Sequence, residues 1–226
     1  RSIRKTIVPR LCENGVKAVP FFKIALVNFA NRINYRNHRK IVIVDGEFCF
    51  IGGINISDKY DNRRKNKHYW RDTHLKIQGE VAWALQSIFI ADWNFCSKEN
   101  LKPNTNYFKL HSIDENLNWV QLVSSGPDSE RPYILFSYLQ AIHNAYKCVF
   151  ITTPYFIPNV ELLAAIEIAS QKGVDVRILV PGISDSFIVN AVSKSYYKEL
   201  LNAGVKIYLY KKGFVHAKTM VCDGEI

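Results

Sequence analysis

The sequence lacks the features that mark a membrane span, a secreted protein or a zinc site. No apolar run approaches the ~18 residues that a membrane-spanning helix needs. No signal peptide is present, and the chain opens on Arg1 rather than Met, so we expect a fragment of a longer protein. The five cysteines are scattered and form no C-x-x-C pair, which excludes zinc-ligand spacing. Cys49, Cys148 and Cys222 lie in apolar runs, which predicts reduced, buried thiols in an intracellular compartment.

What the chain has instead is a positive charge and enough apolar residues for a core. With 226 residues and 48% hydrophobic residues, it can form one large domain or two small ones. The net charge is +10 and the pI is about 9.3. This excess of Lys and Arg favours an anionic partner, which could be a phospholipid surface, a nucleic acid or a phosphate-bearing substrate.

Short strand-like runs alternate with helical runs, which predicts an α/β architecture. The pattern predicts strands at residues 15–22, 38–46, 48–56, 72–79, 174–182, 205–213 and 214–224, a strand and a turn within 119–128, and a strand that ends in a loop within 147–158. It predicts helices ending at residue 14 and spanning 80–95, 132–145, 159–172 and 195–203. In the helix predicted at residues 80–95, the side chains expected to face a core are those of Val81, Leu85, Ile88, Phe89 and Trp93.

A polar stretch from about residue 97 to 118 divides the chain, and the pattern restarts after it. The segment ENGVKAV before the linker matches NAGVKIY after it, which indicates an internal repeat. We therefore expect two domains, residues 1–118, including the linker, and residues 119–226.

The strongest signal is a doubled motif, H-x-K-x-x-x-x-D-G, hereafter the HKD motif. It occurs once in each predicted domain, and its six chemically active residues are His38, Lys40, Asp45, His216, Lys218 and Asp223. In an extended strand, residues two apart project to the same face, so each histidine should point the same way as its lysine. The apolar residues that follow predict a strand buried on both faces, and each aspartate before glycine suits a turn.

Two histidines and two lysines around one point suit a phosphodiester. One imidazole would attack phosphorus to form a phosphohistidine, and the other would exchange protons with the leaving and entering oxygens. The lysines would neutralise the non-bridging oxygens, so we predict no cofactor and no metal. Each aspartate would orient the site rather than transfer a proton.

With these motifs, the chain resembles the phospholipase D superfamily, and within it the bacterial cardiolipin synthases. The supporting stretches are RNHRKIVIVDGEFCFIGGINISDKY, WRDTHLKIQG, QLVSSGPD, TTPYFIP, GVDVRILVPG and YKKGFVHAKTMVCDGE, which together cover nearly the whole chain. The resemblance implies two α/β/α repeats related by a pseudo-twofold axis, with one active site at the seam. It also implies that the second repeat is incomplete here, because the family carries a further strand and a second orienting carboxylate beyond residue 226.

The resemblance also implies residue roles and a reaction. His38 would be the nucleophile and His216 the general acid and base, although the sequence leaves open which does which. Asn55 would help the lysines to bind phosphate. Asp72 would hydrogen-bond an active-site histidine; a surface aspartate paired with Arg71 is the alternative. The reaction would join two phosphatidylglycerol molecules into cardiolipin and release glycerol, at a bacterial cell membrane and without nucleic acid.

Two other functions fit the same residues. The same histidines could hydrolyse a phosphodiester, in a phospholipase or a nuclease, if water resolved the phosphohistidine. A non-catalytic lipid-binding scaffold is the third hypothesis, and it would also fit a truncated chain that is inactive. Net charge does not separate lipid from DNA because both are polyanions.

Several other residues suggest a function less strongly. The basic run at residues 59–71 would either contact anionic headgroups or be a solvated loop. Tyr155 and Phe156 would either line a lipid entrance or belong to the core. Ser124 and Ser125 suit a turn, because no G-x-S-x-G elbow surrounds them. Residues for which we predict no catalytic role are His68, His74, His111 and His143.

Overall fold

The computed structural model describes residues 2–21, 37–64, 68–108, 118–126 and 129–225. The helices in these ranges are α1 (Ser2–Glu13), α2 (Glu80–Ser97), α3 (Tyr133–Asn144), α4 (Val160–Gln171), α5 (Phe187–Ser195) and α6 (Tyr197–Asn202), with a 3-10 turn at Asp58–Tyr60. The strands are β1 (Ile41–Val44), β2 (Phe48–Gly52), β3 (Tyr69–Arg71), β4 (His74–Gln78), β5 (Cys148–Thr152), β6 (Asp175–Pro181), β7 (Lys206–Tyr210), β8 (Gly213–Val215) and β9 (Thr219–Cys222). The α/β class predicted from the sequence is confirmed.

The chain divides into two compact units that are each discontinuous in sequence. The first unit contains residues 1–50 and 76–122, and the second contains residues 51–75 and 123–226. Compactness and internal repetition are different properties, so the repeat boundary between residues 118 and 119 stays a prediction. The segment 51–75 nevertheless belongs to the same compact unit as the second HKD motif, and this places several residues of the first half beside it.

The second unit is built on a four-stranded sheet in the order β7-β6-β5-β9. Strands β5, β6 and β7 are parallel, and β9 runs antiparallel to β5. Alternate residues of β6 (Val176, Ile178 and Val180) are buried, and they pack with α3, α4 and α6 in one apolar core. Burial of each such side chain contributes about 1.5–3 kcal/mol. This core fixes the strand ends from which the site is built.

A separate parallel pair, β3 with β8, positions the second HKD motif. Trp70 lies opposite Phe214 and Arg71 lies opposite Val215 in the register. The pairing continues one residue beyond β8, since the backbone N–H of His216 donates to the carbonyl oxygen of Arg71 at 2.7 Å. The pairing therefore places Asp72, which follows Arg71, beside His216.

The first unit contains most of a three-stranded sheet in the order β1-β2-β4, with α2 against β1. The buried residues of α2 are Ala82, Leu85, Gln86 and Ile90. Of the residues predicted to face the core, Leu85 is buried, Val81, Ile88 and Trp93 are partly buried, and Phe89 is 41% exposed. The prediction for Phe89 is wrong, because the buried face of the helix is rotated toward Ala82 and Gln86.

Two predicted strands and one helix need correction. Residues 15–21 form no strand, because Val16 and Val19 are exposed and Pro20 has no N–H to donate to a sheet. Residues 119–126 also form no strand, and Trp119 is fully exposed. Phe22, the turn at residues 127–128, most of the linker beyond residue 108 and His111 lie outside the described residues. Helix α5 was not predicted; it begins at Phe187, and the side chain of the N-cap residue Ser186 accepts a hydrogen bond from the Val189 N–H.

The strands of both HKD motifs are shorter and less buried than predicted. Strand β1 begins after Lys40, and β9 begins after Lys218, so the histidines and lysines precede the strands. Val42 and Val44 of β1 and Val221 of β9 are exposed. Burial on both faces is therefore wrong, since each strand leaves at least one side chain exposed to solvent.

All five cysteines are free; Cys49 and Cys222 are buried as predicted, Cys148 is only partly buried, and Cys12 is exposed. Over the described ranges, no helix combines the length and the apolar character needed to cross a membrane.

Candidate active site

The centre of the candidate site is the imidazole of His216. Its Nδ1 lies 2.8 Å from Oδ2 of Asp72, and the two side chains are only 12% and 3% exposed. A buried carboxylate at this distance fixes the ring orientation and stabilises the positive charge that the ring carries when protonated. With Nδ1 directed to Asp72, Nε2 is the ring nitrogen left to meet a substrate.

The backbone around Asp72 leaves room for its carboxylate. Oδ1 accepts the N–H of Thr73 at 2.8 Å, and the N–H of Gly53 donates to the Thr73 carbonyl at 3.1 Å. A Cβ atom at Gly53 would come within 2.1 Å of Asp72 Oδ1. The Gly52-Gly53 pair therefore allows close approach of the two segments, which explains a glycine pair directly after β2.

Tyr60 connects Asn55 to the histidine. The side-chain amide of Asn55 donates to the Tyr60 hydroxyl at 2.6 Å, and that hydroxyl lies 3.5 Å from Nδ1 of His216. Burial raises the pKa of Tyr60, so the hydroxyl remains protonated at neutral pH. Asn55, predicted to bind phosphate, is thus placed near His216 through Tyr60.

Aromatic rings surround the imidazole. The ring centroids of Tyr60, Trp70, Phe214 and Tyr155 lie 5.6, 5.6, 6.0 and 6.5 Å from that of His216. These rings restrict water around the ring on several sides, which strengthens its electrostatic contact with Asp72. We refer to these four residues as the aromatic frame.

Lys218 lies against the same ring. Its Nζ donates to the backbone carbonyl of His216 at 2.7 Å and lies 3.3 Å from both ring nitrogens. A cation at this position is within reach of any anion that contacts Nε2. The structure therefore brings His216, Lys218, Asp72 and Asn55 together in the second unit.

The first HKD motif has the same lysine contact but different surroundings. Lys40 Nζ donates to the His38 carbonyl at 2.6 Å, as Lys218 does to His216. His38 itself is exposed. Next to it, Arg39 pairs with Asp92 of α2 at 2.8 Å, and Asn37 donates to the same carboxylate at 3.1 Å. This ion pair fastens the backbone of the motif to α2.

The two motif aspartates lie in turns of the same backbone conformation. Asp45 and Asp223 both have positive φ, 55° and 57°, and each is followed by a glycine with positive φ. The Asp223 carboxylate accepts the N–H groups of Tyr146, Lys147 and Cys148 at 2.8–3.0 Å. The bond from Cys148 is the main reason that the pKa of Asp223 is lowered. Asp223 therefore links the end of β9 to the start of β5, away from the chemistry at His216.

A pocket of about 310 Å³ opens beside Lys218. Apolar side chains make up most of its wall, including Ile151, Phe156, Ile157 and Met220. Phe156 is buried and belongs to the core, whereas Tyr155 is partly exposed at the pocket. Of the two alternatives considered for this pair, Tyr155 fits an entrance and Phe156 fits the core.

The described residues of the basic run near the site make mostly local contacts. Arg63 pairs with Asp61 at 2.8 Å and lowers the pKa of that carboxyl to about 2. Asn62 exchanges two hydrogen bonds with the backbone of Trp70, and Lys59 Nζ lies 5.9 Å from the Trp70 ring. The described part of this run thus supports the β3 segment that carries Asp72.

Sequence reasoning missed the aromatic frame, apart from the question about Tyr155. Aromatic residues are common in cores, so Tyr60, Trp70 and Phe214 carried no pattern that separates a site from a core. The pairing of β3 with β8, which brings them together, has no signal in the local sequence. In the part of the chain that the structure describes, no three His, Cys, Asp or Glu side chains are arranged to hold a metal ion.

Comparisons with known proteins show the family to which the chain is similar. Residues 138–226 match the family model described as "Cardiolipin synthase, PLD-like domain". A cardiolipin synthase of Listeria welshimeri is 44% identical over 231 residues, which cover 100% of this chain and 47% of the relative. A protein named cardiolipin synthase 2 from Bacillus anthracis is 42% identical and aligns with 99% of this chain and 44% of its own length. The chain thus spans about half the length of the curated relatives it matches.

One solved structure shares the fold over most of the chain. The phosphatidylserine synthase of Haemophilus influenzae superposes with a TM-score of 0.54 at 17% identity, over 82% of this chain and 51% of that one. The chain belongs to the phospholipase D superfamily. Within that superfamily it is a cardiolipin synthase-like protein, as the identities with the Listeria and Bacillus proteins show.

Proposed function

We propose that the protein is a phosphatidyltransferase that makes cardiolipin and glycerol from two phosphatidylglycerol molecules. The observation that carries the proposal is the buried Asp72 carboxylate 2.8 Å from Nδ1 of His216, in an intact HKD motif. The relatives named cardiolipin synthase support the choice of product. Phosphatidylglycerol as the substrate and the bacterial cell membrane as the location are parts of this proposal.

The proposal needs both HKD motifs at one phosphorus atom. We place them in two α/β/α repeats related by a pseudo-twofold axis, with the repeat boundary near residue 118. The support is local: in each motif the lysine donates to the carbonyl of its histidine, and in each the aspartate and glycine adopt positive φ. Equivalent backbone geometry in two places is what a duplicated catalytic element predicts.

In the first half of the reaction, Nε2 of His38 attacks the phosphorus of one phosphatidylglycerol. A phosphorus–nitrogen bond forms and the bond from phosphorus to the glycerol headgroup oxygen breaks. His216, protonated and stabilised by Asp72, gives its proton to the departing oxygen, so glycerol leaves as a neutral alcohol. Phosphatidyl-histidine and neutral His216 remain.

In the second half, the headgroup hydroxyl of another phosphatidylglycerol replaces the glycerol. Neutral His216 takes the proton of this hydroxyl as its oxygen attacks phosphorus, and the phosphorus–nitrogen bond breaks. Cardiolipin is released, and both histidines return to their starting protonation states. Asp72 serves both halves, because it holds one ring orientation while the charge of the ring changes.

The remaining site residues bind and orient. Lys40 and Lys218 contact the non-bridging phosphate oxygens, where negative charge grows in the transition state. Asn55 positions the Tyr60 hydroxyl and, through it, the edge of the His216 ring. Asp45 and Asp223 keep the turns that end the motif strands. The charge at the reacting phosphate is supplied by lysines, so the proposal includes no metal ion.

The test is a product analysis with the complete protein that carries this chain. Phosphatidylglycerol vesicles are incubated with the enzyme in excess chelator, and lipid products are identified by mass spectrometry. We expect cardiolipin and glycerol from the wild type, and a loss of at least about 10³-fold in His38→Ala and His216→Ala. His143→Ala, an exposed histidine on α3, is the matched control and should remain active.

The other possible results of the product analysis would each contradict part of the proposal. Phosphatidic acid without cardiolipin would show that water resolves the intermediate, and the protein would be a phospholipase. Activity that disappears with the chelator would contradict the lysine-based mechanism. If no lipid product forms, oligonucleotides become the next substrates and the synthase proposal is withdrawn.

A further inference from the structure

The carboxyl ends of three strands meet at one edge of the second unit. Because β5, β6 and β7 are parallel, the loops that follow them lie at the same edge of the sheet. These loops begin at residues 153, 182 and 211. The backbone confirms their proximity, since the N–H of Gly182 donates to the carbonyl of Tyr210 at 2.9 Å.

Large apolar side chains protrude from the first two of these loops and the helices they enter. Phe187 is 88% exposed, Val160 80% and Ile188 74%, and Ile157 and Ile183 are also exposed. Single exposed apolar residues are ordinary on a protein surface. A group at one sheet edge is different, because contiguous apolar surface marks a contact with another phase or molecule. These five residues are called the apolar edge below.

Helix α5 has its apolar side turned outward. Phe187, Ile188 and Val192 are exposed, and the only buried residue of the helix is Ser193, whose hydroxyl lies 3.3 Å from that of Tyr197. A helix that packed by the usual rule would bury the first three and expose the serine. Its orientation is thus suited to an apolar environment outside the protein.

Positive charge lies beside the apolar edge. Lys211 and Lys212 are exposed and directly follow Tyr210, the residue bonded to Gly182. Lys194 is exposed two turns after Phe187 on the same side of α5. Apolar side chains flanked by lysines complement an anionic lipid surface, where the former enter the acyl boundary and the latter contact headgroups.

The same loops lead directly to the candidate active site. Asp185, between Gly182 and α5, accepts the hydroxyl of Tyr155 at 2.9 Å, and Tyr155 belongs to the aromatic frame of His216. Burial, together with this bond, raises the pKa of Tyr155, so its hydroxyl remains a donor. Ile157 of the apolar edge also lines the pocket beside Lys218. A bilayer at this edge would therefore meet the mouth of the site.

We propose that the apolar edge, with Lys211 and Lys212, is a membrane-docking surface that seats the second unit on an anionic bilayer. The inference rests on the proposed function for its purpose, since a lipid substrate would then reach Lys218 and His216 without crossing water. Binding itself requires no catalysis, so docking can be tested independently of the reaction.

The experiment measures sedimentation of the 226-residue chain with vesicles. One set contains phosphatidylglycerol and phosphatidylcholine, and the other contains phosphatidylcholine alone. We expect the double variant Phe187→Ser, Ile188→Ser to lower the partition coefficient on anionic vesicles by at least about tenfold. Lys211→Gln with Lys212→Gln should lower it by about tenfold at low salt and change little on phosphatidylcholine.

A matched control removes apolar surface from elsewhere in the same unit. Ile168 and Leu201 are about half exposed, late in α4 and α6, and these helices lead to the opposite edge of the sheet. Ile168→Ser with Leu201→Ser should bind vesicles like the wild type. Circular dichroism melting of every variant checks that the fold is kept, and the lysine pair provides a second test that leaves the apolar residues unchanged.

The outcomes separate docking from catalysis. His216→Ala should bind vesicles as the wild type does, whatever reaction the complete protein catalyses. Docking at this edge would be overturned if the wild-type chain did not sediment with anionic vesicles. It would also be overturned if the Phe187 and Ile188 variant bound normally, or if the control pair lost as much binding.

Discussion

The two HKD motifs share a backbone but differ in what surrounds their histidines. In both, the lysine donates to the carbonyl of the histidine two residues earlier, and an Asp-Gly turn with positive φ ends the strand. His216 is held by a buried carboxylate from 144 residues earlier in the chain and by the aromatic frame, whereas His38 is exposed. Motif geometry is thus encoded locally, and the environment of the imidazole is encoded by long-range packing.

The ion pairs next to the two histidines show the same difference. Asp72 contacts the ring of His216, whereas Asp92 contacts Arg39 and Asn37, the neighbours of His38, and holds the backbone of the motif. One carboxylate touches the group that would react, and the other supports the segment that carries it. Substituting each should therefore affect different properties of the protein.

The largest expected effect comes from Asp72→Asn. The amide keeps the shape of the carboxylate but not its charge, and its NH₂ group can force the opposite tautomer on His216. We expect kcat for cardiolipin formation in the complete protein to fall by about 10²–10⁴-fold, with KM changed little. Initial rates measured against phosphatidylglycerol concentration test this.

Asp92→Asn is the matched control for Asp72→Asn. Because the Arg39–Asp92 pair is partly exposed, its loss should cost at most about 1 kcal/mol of stability and leave kcat within a few-fold of the wild type. Equal losses of kcat in the two variants would contradict the separate roles given to these carboxylates, and Asp72 would then be a structural residue.

The sequence alone predicts the local geometry of each motif, but it predicts little of what surrounds each histidine. The spacing of His38, Lys40 and Asp45 repeats at residues 216–223, so the motif and the turn could be predicted from residue types alone. Asp72 was predicted only through family resemblance, because nothing in its neighbourhood indicates which histidine it meets. Trp70 reaches His216 through the pairing of β3 with β8, a contact between segments about 140 residues apart that no local pattern records, and Tyr60 packs against Trp70.

The same limit explains the errors in secondary structure. Residues 15–21 have the composition of a strand, but Pro20 and the exposure of Val16 and Val19 show that no sheet accepts them. Helix α5 does not bury an apolar face, so the usual apolar periodicity of a packed helix does not predict it. In both cases the secondary structure depends on the surface against which the segment packs. The sequence of the segment alone does not include that information.

Gly46 and Gly224 provide a second comparison between the motifs, with a smaller expected effect. Both have positive φ, 67° and 79°. A Cβ at Gly46 would come within 2.2 Å of the Tyr107 carbonyl oxygen, whereas one at Gly224 meets nothing within 4 Å. Gly224→Ala should cost about 1–2 kcal/mol from the left-handed conformation alone. Gly46→Ala should cost roughly 2–4 kcal/mol, because the backbone at Tyr107 must also move.

Denaturant titration of the two alanine variants measures this difference. The midpoint of Gly46→Ala should lie well below that of Gly224→Ala at an unchanged m-value. If both variants lose the same stability, the approach of Tyr107 to Gly46 contributes nothing. The two turns would then be energetically equivalent.

The smallest expected effect is a difference in thermal stability between substitutions of the two motif aspartates. Asp223 accepts three backbone N–H groups, while Asp45 is exposed in its turn. Asp223→Asn should lower the thermal midpoint by several degrees. The amide oxygen can accept only some of the three hydrogen bonds, and the NH₂ group would face a backbone N–H donor. Asp45→Asn should lower the midpoint less, and thermal melts at neutral pH compare the two.

The pH dependence of the Asp223 variant provides the sharper test. The folded-state pKa of Asp223 is lowered, chiefly by the Cys148 N–H, so the unfolded chain binds its proton more tightly. The stabilisation is therefore complete above the ordinary aspartate pKa and is lost as the pH falls through the lowered folded value. The midpoints of wild type and Asp223→Asn should converge on acidification, whereas a constant gap from pH 7 downward would mean that the charge of Asp223 does not hold the start of β5.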